Sequence, residues 1–331
     1  MSVIDNSKSG IRTLVGFKEV LISDYWGSGS RVSRYDGAVP LDDVLGRLFN
    51  WEAIRCPVEV VLADGRRLPF SGREAIVHNK TDKVFKVATD SYVIHQYQDW
   101  LINSVAKLLD DDLCIGIAGV LRGGGGAFVT VETPDKIESR NGIELKPKLL
   151  AASSHDSRLA TSYKMVGTIL RCQNMLNASL WHESAPWTNR HTLNSLLRLE
   201  QVRETLGIQL ANNAAAMCDY VDSLADIAVT DEQWQQIVER LVPIPEGTRP
   251  QSKSRLENKR DTLHDMWVND PRCAEWKGSG FGVFQVFNTH QLHIAGKNDS
   301  RVDRNMRNIL SDASLEHDKD VVAVLRDVCN A

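Results

Sequence analysis

No apolar run in the sequence approaches the ~20 residues that a membrane-crossing helix needs, so no membrane partner is expected. The opening stretch, Met1-Ser2-Val3-Ile4-Asp5-Asn6-Ser7-Lys8, has no segment resembling the apolar core of a secretory signal. Cysteine is sparse. The six at Cys56, Cys114, Cys172, Cys218, Cys273 and Cys329 include no pair with zinc or thioredoxin spacing. Unpaired thiols in a reduced, cytoplasmic compartment are therefore expected. A strong excess of one charge is missing as well. The 39 basic and 43 acidic side chains leave a net charge of −4, which excludes uniformly basic, histone-like binding. A local basic strip remains open, because net charge hides patches. What is present is ordinary: 42% hydrophobic and 25% charged residues over 331 positions, enough for one large folded domain or two.

The hydrophobic period changes along the chain. Residues 1–35, rich in Ser, Gly and charge around Val20-Leu21-Ile22, read as a flexible arm. Leu41, Val44, Leu45, Leu48 and Phe49 fall on one helical face. From residue 57 the pattern turns to short alternating strands, with Asp64-Gly65 as a hairpin turn and Val84–Thr89 as a further strand. A helix over 94–109 follows, then an apolar strand from Cys114, a hairpin tip at Gly123–Gly126, and strands near 143–153 and 159–165. Beyond Leu176 the periodicity is helical: a long helix from 193 to about 224, another capped by Thr230 and reaching Leu241, and more at 256–268, 301–310 and 321–328. The fold class expected is α+β, an antiparallel β-meander of hairpins with a packed helix, followed by a mainly α-helical region. Its boundaries are a core domain at 36–180, a helical region at 181–242, a Pro/Ser-rich linker at 243–254 and a C-terminal helical region at 255–331.

Most motif-like features have plain explanations. The four glycines lack the Gly-Lys-Ser/Thr of a phosphate loop and lead into a strand rather than a helix, so they read as a flexible tip. His290 and His293 have helical spacing but no further zinc ligands at an established interval. Ser153-Ser154-His155-Asp156-Ser157 sets hydroxyl, imidazole and carboxylate side by side, but adjacent side chains on a strand point to opposite faces and sequence neighbours rarely make a nucleophilic triad. No catalytic residue, metal or cofactor is assigned, and a non-enzymatic protein is expected. Positive charge, by contrast, is concentrated. Residues 136–171 hold seven basic side chains against three acidic ones. Lys83, Lys86, Lys146, Lys148, Arg158, Lys164 and Arg171 are the candidate phosphate contacts, and Tyr92 and Tyr163 the candidates for base stacking.

Three stretches carry a resemblance. They are Ile76–Val87 continuing through Asp90–Tyr97; Leu149–Asp156 continuing to Arg171-Cys172-Gln173-Asn174; and Gly280–Asn288. In order and spacing they resemble the phage/plasmid-like protein family, the domain of unknown function numbered 932, over roughly residues 40–310. In that family a glycine usually follows the aspartate, where this chain has Ser157. The resemblance implies a gene of a mobile element in a bacterial host. The strand-hairpin-helix order is also similar, at the level of fold pattern, to single-strand annealing proteins of the RecT, Redβ and Erf type. That similarity implies single-stranded DNA as partner, ring or filament assembly, and a role in recombination or replication. The alternative is a protein-binding module that inhibits a host defence or restriction factor through the helices at 191–241. A third option is chemistry at His155 and Asp156, or a metal at His290 and His293.

Overall fold

The computed structural model describes residues 4–5, 19–22, 31–34, 39–103, 114–132, 136–169, 174–177, 180, 187–192, 214–296, 304–305, 308 and 313–330. The fold is α+β, with strand-rich and helical parts in the order expected.

A three-stranded antiparallel sheet joins β4 (Ala53–Val61), β5 (Arg67–His78) and β6 (Val84–Thr89). Its first turn is Asp64-Gly65, where Gly65 takes φ +85° and Asp64 accepts from the Arg66 amide. The larger sheet is built on β7 (Cys114–Leu121), β8 (Gly126–Glu132), β10 (Glu144–Ser154) and β11 (Thr161–Ile169), paired antiparallel in that order. Its edges are extended by β9 (Ile137–Glu138), β12 (Asn174–Asn177) and β13 (Trp187–Asn189). The segment expected to be a flexible arm also contributes strands: β1 (Ile4–Asp5), β2 (Glu19–Ile22) and β3 (Arg31–Arg34). Of these, β2 lies parallel to β7. Its apolar Val20-Leu21-Ile22 run is a strand-forming unit once a sheet edge is offered to it.

The two faces of the larger sheet differ. Leu149, Ala151, Val129, Val131, Tyr163 and Met165 share one face by register and pack under helix α1 (Leu41–Leu48) with Tyr97, Leu101 and Ile102. The opposite face carries Lys148, Glu132, Thr130, Lys164 and Thr168, all buried. Lys148 Nζ lies 2.8 Å from Glu132, and Lys146 Nζ lies 3.4 Å away. Gly116 makes room for this carboxylate, since a Cβ there would stand 2.2 Å from Glu132 Oε2. Burial pushes the Glu132 carboxyl up, but the ammonium groups of Lys148 and Lys146 more than offset this and hold it below its ordinary value.

The helical region docks on the Glu144 end of β10. It comprises α2 (214–225), α3 (Asp231–Leu241), α4 (Pro250–Asn269), α5 (Gly280–Thr289) and α6 (Ala313–Cys329). Trp234 and Trp267 stack at 4.5 Å within a core that includes Phe281, Phe284 and Phe287 and reaches Ile143, Leu145 and Ile169 of the sheet. Asp222 fastens the junction by accepting from Ser139 Oγ and from the amides of Arg140 and Asn141. The Thr230 cap is a complete capping box with Gln233. The linker expected at 243–254 is shorter, because Pro250 opens α4. A proline fits the first helical position, where its missing N–H costs nothing. Of the helix expected over 94–109, Gln98–Asn103 forms a π-helical turn, and 104–113 lie outside the described residues. Most of the helices expected at 193–224 and 301–310 also lie outside them.

Candidate functional site

The far end of the larger sheet, where β10 finishes at Ser154, gathers four of the chain's nine histidines and a cluster of aromatic rings. From Leu145 in the helical core, nine residues of strand span roughly 30 Å, so this end stands well away from the helical region.

Two hairpin turns form the base. The β7–β8 turn is Arg122 and the glycine run. The β10–β11 turn begins at His155, whose amide donates to Gly125 O at 3.0 Å. Arg122 Nε donates to Asp156 Oδ2 at 2.8 Å and ties the turns together. The glycines are therefore not a flexible tip. Gly124 has φ +91°, and a Cβ there would meet Trp51 at 2.9 Å and Phe85 at 3.1 Å; one on Gly125 would meet Asp156 at 2.9 Å. Close packing demands glycine here, and sequence alone cannot separate that demand from freedom.

Over this base lies a ring cluster. Trp51 stacks on His78 at 3.9 Å, Tyr97 stacks on His155 at 4.1 Å, and Phe85 leans on His155 at 5.5 Å. Tyr97 Oη donates to Gly124 O and accepts from the His155 amide. Alongside runs a second stack, Tyr92–His191–His95–Trp100, with centroid separations of 4.9, 3.9 and 3.8 Å. His191 Nδ1 donates to Val93 O, which leaves Nε2 as an acceptor. His95 Nδ1 bonds Thr161 Oγ1, itself bonded to Ser153 Oγ.

Burial sets the electrostatics. It pushes the His155 imidazole down to about 3, with His191, Lys86 and His78 adding repulsion, and the His191 imidazole down to about 4. His95 is held at about 2 by burial and by its histidine neighbours. All three rings are neutral at physiological pH. Among the described residues, both ring nitrogens of His155, His191 Nε2 and Tyr92 Oη are buried without a hydrogen-bond partner. Each such group costs about 1–3 kcal/mol to bury unpaired.

The outer layer is cationic. Lys83 Nζ donates to Arg122 O. Lys86 Nζ donates to Ser157 Oγ at 3.0 Å and sits 3.2 Å from the centre of the Tyr92 ring. Burial draws the Lys86 ammonium down to about 8, partly countered by Asp156. Arg158 Nε lies 3.6 Å from Asp156 Oδ2. Arg122 and Arg158 thus pair with the Asp156 carboxylate, Lys86 stands near it on Ser157, and Lys83 joins them through the Arg122 carbonyl. Ser157 takes φ +64°, the left-handed conformation that a glycine accommodates most easily.

Of the nine residues chosen from the sequence, Lys83, Lys86, Arg158 and Tyr92 come together here. The others do not join them in one trough. Lys146, Lys148 and Lys164 lie along the polar face of the sheet. Lys148, 3% exposed, is locked on Glu132, and Lys164 is 5% exposed. From Lys148 to Ser154 the strand rises roughly 20 Å, which keeps Lys146 and Lys148 apart from Lys86. Tyr163 is a core residue, not a stacking platform: it is 1% exposed and donates to Trp100 O. Arg171 lies outside the described residues. Tyr92 is already occupied, since Lys86 covers the ring and His191 stacks on it. Composition did not point to Trp51, Phe85, His95 or Arg122. The signal for several was nevertheless present, because the stretches 76–97 and 149–156 converge at this site while Gly280–Asn288 is buried in the helical core. His290 and His293 sit on a π-helical turn, and no group of three metal-ligating side chains occurs among the described residues.

The chain matches the family described as Domain of unknown function (DUF932) over residues 84–312, more than half of its length. It belongs to that family. No curated protein and no solved structure matches it. The DUF932 span opens at the first residue of β6 and includes Phe85, Lys86, Tyr92, His95, Arg122, His155 and Asp156; Trp51, His78 and Lys83 precede it. Among the described residues, no helix is long and apolar enough to cross a membrane.

Proposed function

We propose that this chain binds single-stranded nucleic acid at the end of its larger sheet, without catalysis, in the recombination or replication of a phage or plasmid. The observation that carries this reading is the gathering of Lys83, Lys86, Arg122 and Arg158 on the two turns that hold Asp156, above a bed of aromatic and imidazole rings. Cations of this kind neutralise backbone phosphates, and rings hold bases. The reading calls for fewer phosphate contacts than the sequence suggested, centred on Lys83, Lys86 and Arg158. Self-association into a ring or filament in the bacterial cytoplasm is part of it.

Fluorescence anisotropy with a single-stranded oligonucleotide tests it. With about three phosphates engaged, log K falls against log salt with a slope of roughly −2. Lys86→Ala and Arg158→Ala each weaken binding and flatten that slope. Absence of salt-sensitive binding below about 10 μM rejects the reading.

A second reading, a module that captures a partner protein, is favoured by a different surface. Val60, Val61, Leu68 and Phe70 on the β4–β5 hairpin, with Val84 and Val87 on β6, are large apolar side chains 44–61% exposed. Val60 faces Leu68 across the hairpin, and exposed apolar pairs of this kind are candidate protein contacts. Under this reading, Val61→Ser together with Phe70→Ser abolishes partner capture and leaves oligonucleotide affinity unchanged.

A further inference from the structure

The inner layer of the site has a chemistry that phosphate binding does not use. Neutral His155 offers one N–H donor and one nitrogen acceptor, and neither is engaged among the described residues. His191 offers Nε2 as an acceptor, because its other nitrogen is spent on Val93 O. Tyr92 Oη can donate. These groups are buried, carry no formal charge and supply donors and acceptors together. An anion would select cations, and a metal would select a cluster of ligands that is not found among the described residues. A mixed, uncharged set of donors and acceptors among aromatic rings matches the polar edge of a heterocyclic base. Lys86 lies over Tyr92, close enough to His155 and His191 to repel a proton on either. The phosphate-attracting layer and the polar inner layer are therefore contiguous.

The geometry points to a pocket for one nucleobase, formed by His155, His191 Nε2 and Tyr92 Oη, with the attached phosphate on Lys86 and Arg158. This deepens the nucleic-acid reading and rests on it. A phosphate that draws the Lys86 ammonium from Ser157 and the Tyr92 ring opens the way to the hydroxyl and imidazole nitrogens. A base turned out of its strand then satisfies them. Trp51, Phe85 and Tyr97 pack round the His155 ring.

The experiment compares a single-stranded oligonucleotide with an abasic strand of equal length by fluorescence anisotropy at one salt concentration. The unaltered chain is expected to bind the base-bearing strand at least tenfold more tightly. Tyr92→Phe is expected to cut that preference to below threefold and leave abasic affinity unchanged. Its melting temperature should not fall, because the deleted hydroxyl has no partner to lose. His155→Phe gives the same pattern where it folds, and Tyr92→Phe carries the test where it does not. Lys86→Ala weakens both strands alike. Equal affinity of the unaltered chain for both strands, or a preference untouched by Tyr92→Phe, overturns the base pocket and leaves strand binding standing. Failure of the unaltered chain to bind either strand overturns both.

Discussion

Replacing Gly124 with alanine tests whether the glycine run is packed or free. Gly124 has φ +91°, where an L-residue is strained by about 1–2 kcal/mol, and its added methyl would stand 2.9 Å from Trp51 and 3.1 Å from Phe85. Overpacking against such rings costs a further ~1–3 kcal/mol. Gly65→Ala is the matched control, since Gly65 has φ +85° with nothing within 4 Å of the added methyl. It should lose only the backbone share. Urea denaturation followed by tryptophan fluorescence reads both variants, with Trp51 reporting directly on the site. The expected result is a loss of about 2–5 kcal/mol for Gly124→Ala and about 1–2 kcal/mol for Gly65→Ala. Equal losses would show that the turn does not press on Trp51 and Phe85, and the reasoning that makes it a base for the ring cluster would be refuted.

Three further outcomes are expected. Glu132→Gln strands the buried Lys148 ammonium beside a neutral amide and should cost about 3–5 kcal/mol in the same denaturation assay; a cost under 1 kcal/mol would mean that the pair is solvated. The buried histidines make the fold sensitive to mild acid. Their folded-state values lie below the ordinary 6.5, so the unfolded chain takes up the protons first, and stability present above pH 6.5 is lost as pH falls toward 4. Each imidazole contributes up to about 1.4 kcal/mol per pH unit in that window, and His155→Phe should flatten the decline measured between pH 7.5 and 4.5. Ser157→Gly relieves a left-handed serine and should leave stability equal or higher by about 0.5–1 kcal/mol, whereas the β-branched Ser157→Val should lose at least about 1 kcal/mol, as thermal unfolding would show.

What was legible in the sequence is what depends on near neighbours. Alternation over 58–62 and 84–89 named strands, Asp64-Gly65 named a turn, and Thr230 named a cap, because each rests on backbone geometry within a few residues. The stretches 76–97 and 149–156 also held six of the site's rings, His78, Phe85, Tyr92, His95, Tyr97 and His155, although their meeting could not be read from them. Tertiary structure alone decided which charges are usable. Lys146 and Lys148 alternate along β10 as a solvent-facing strand would, yet they stand on a buried face opposite Glu132, sixteen residues before Lys148 in the chain. Likewise Tyr163 became core and Gly123–Gly126 became a packed turn. Burial depends on what a distant segment lays over a surface. That cover brings His78, His95, His155 and His191 into one site and makes His95, His155 and His191 neutral, though no local pattern joins them.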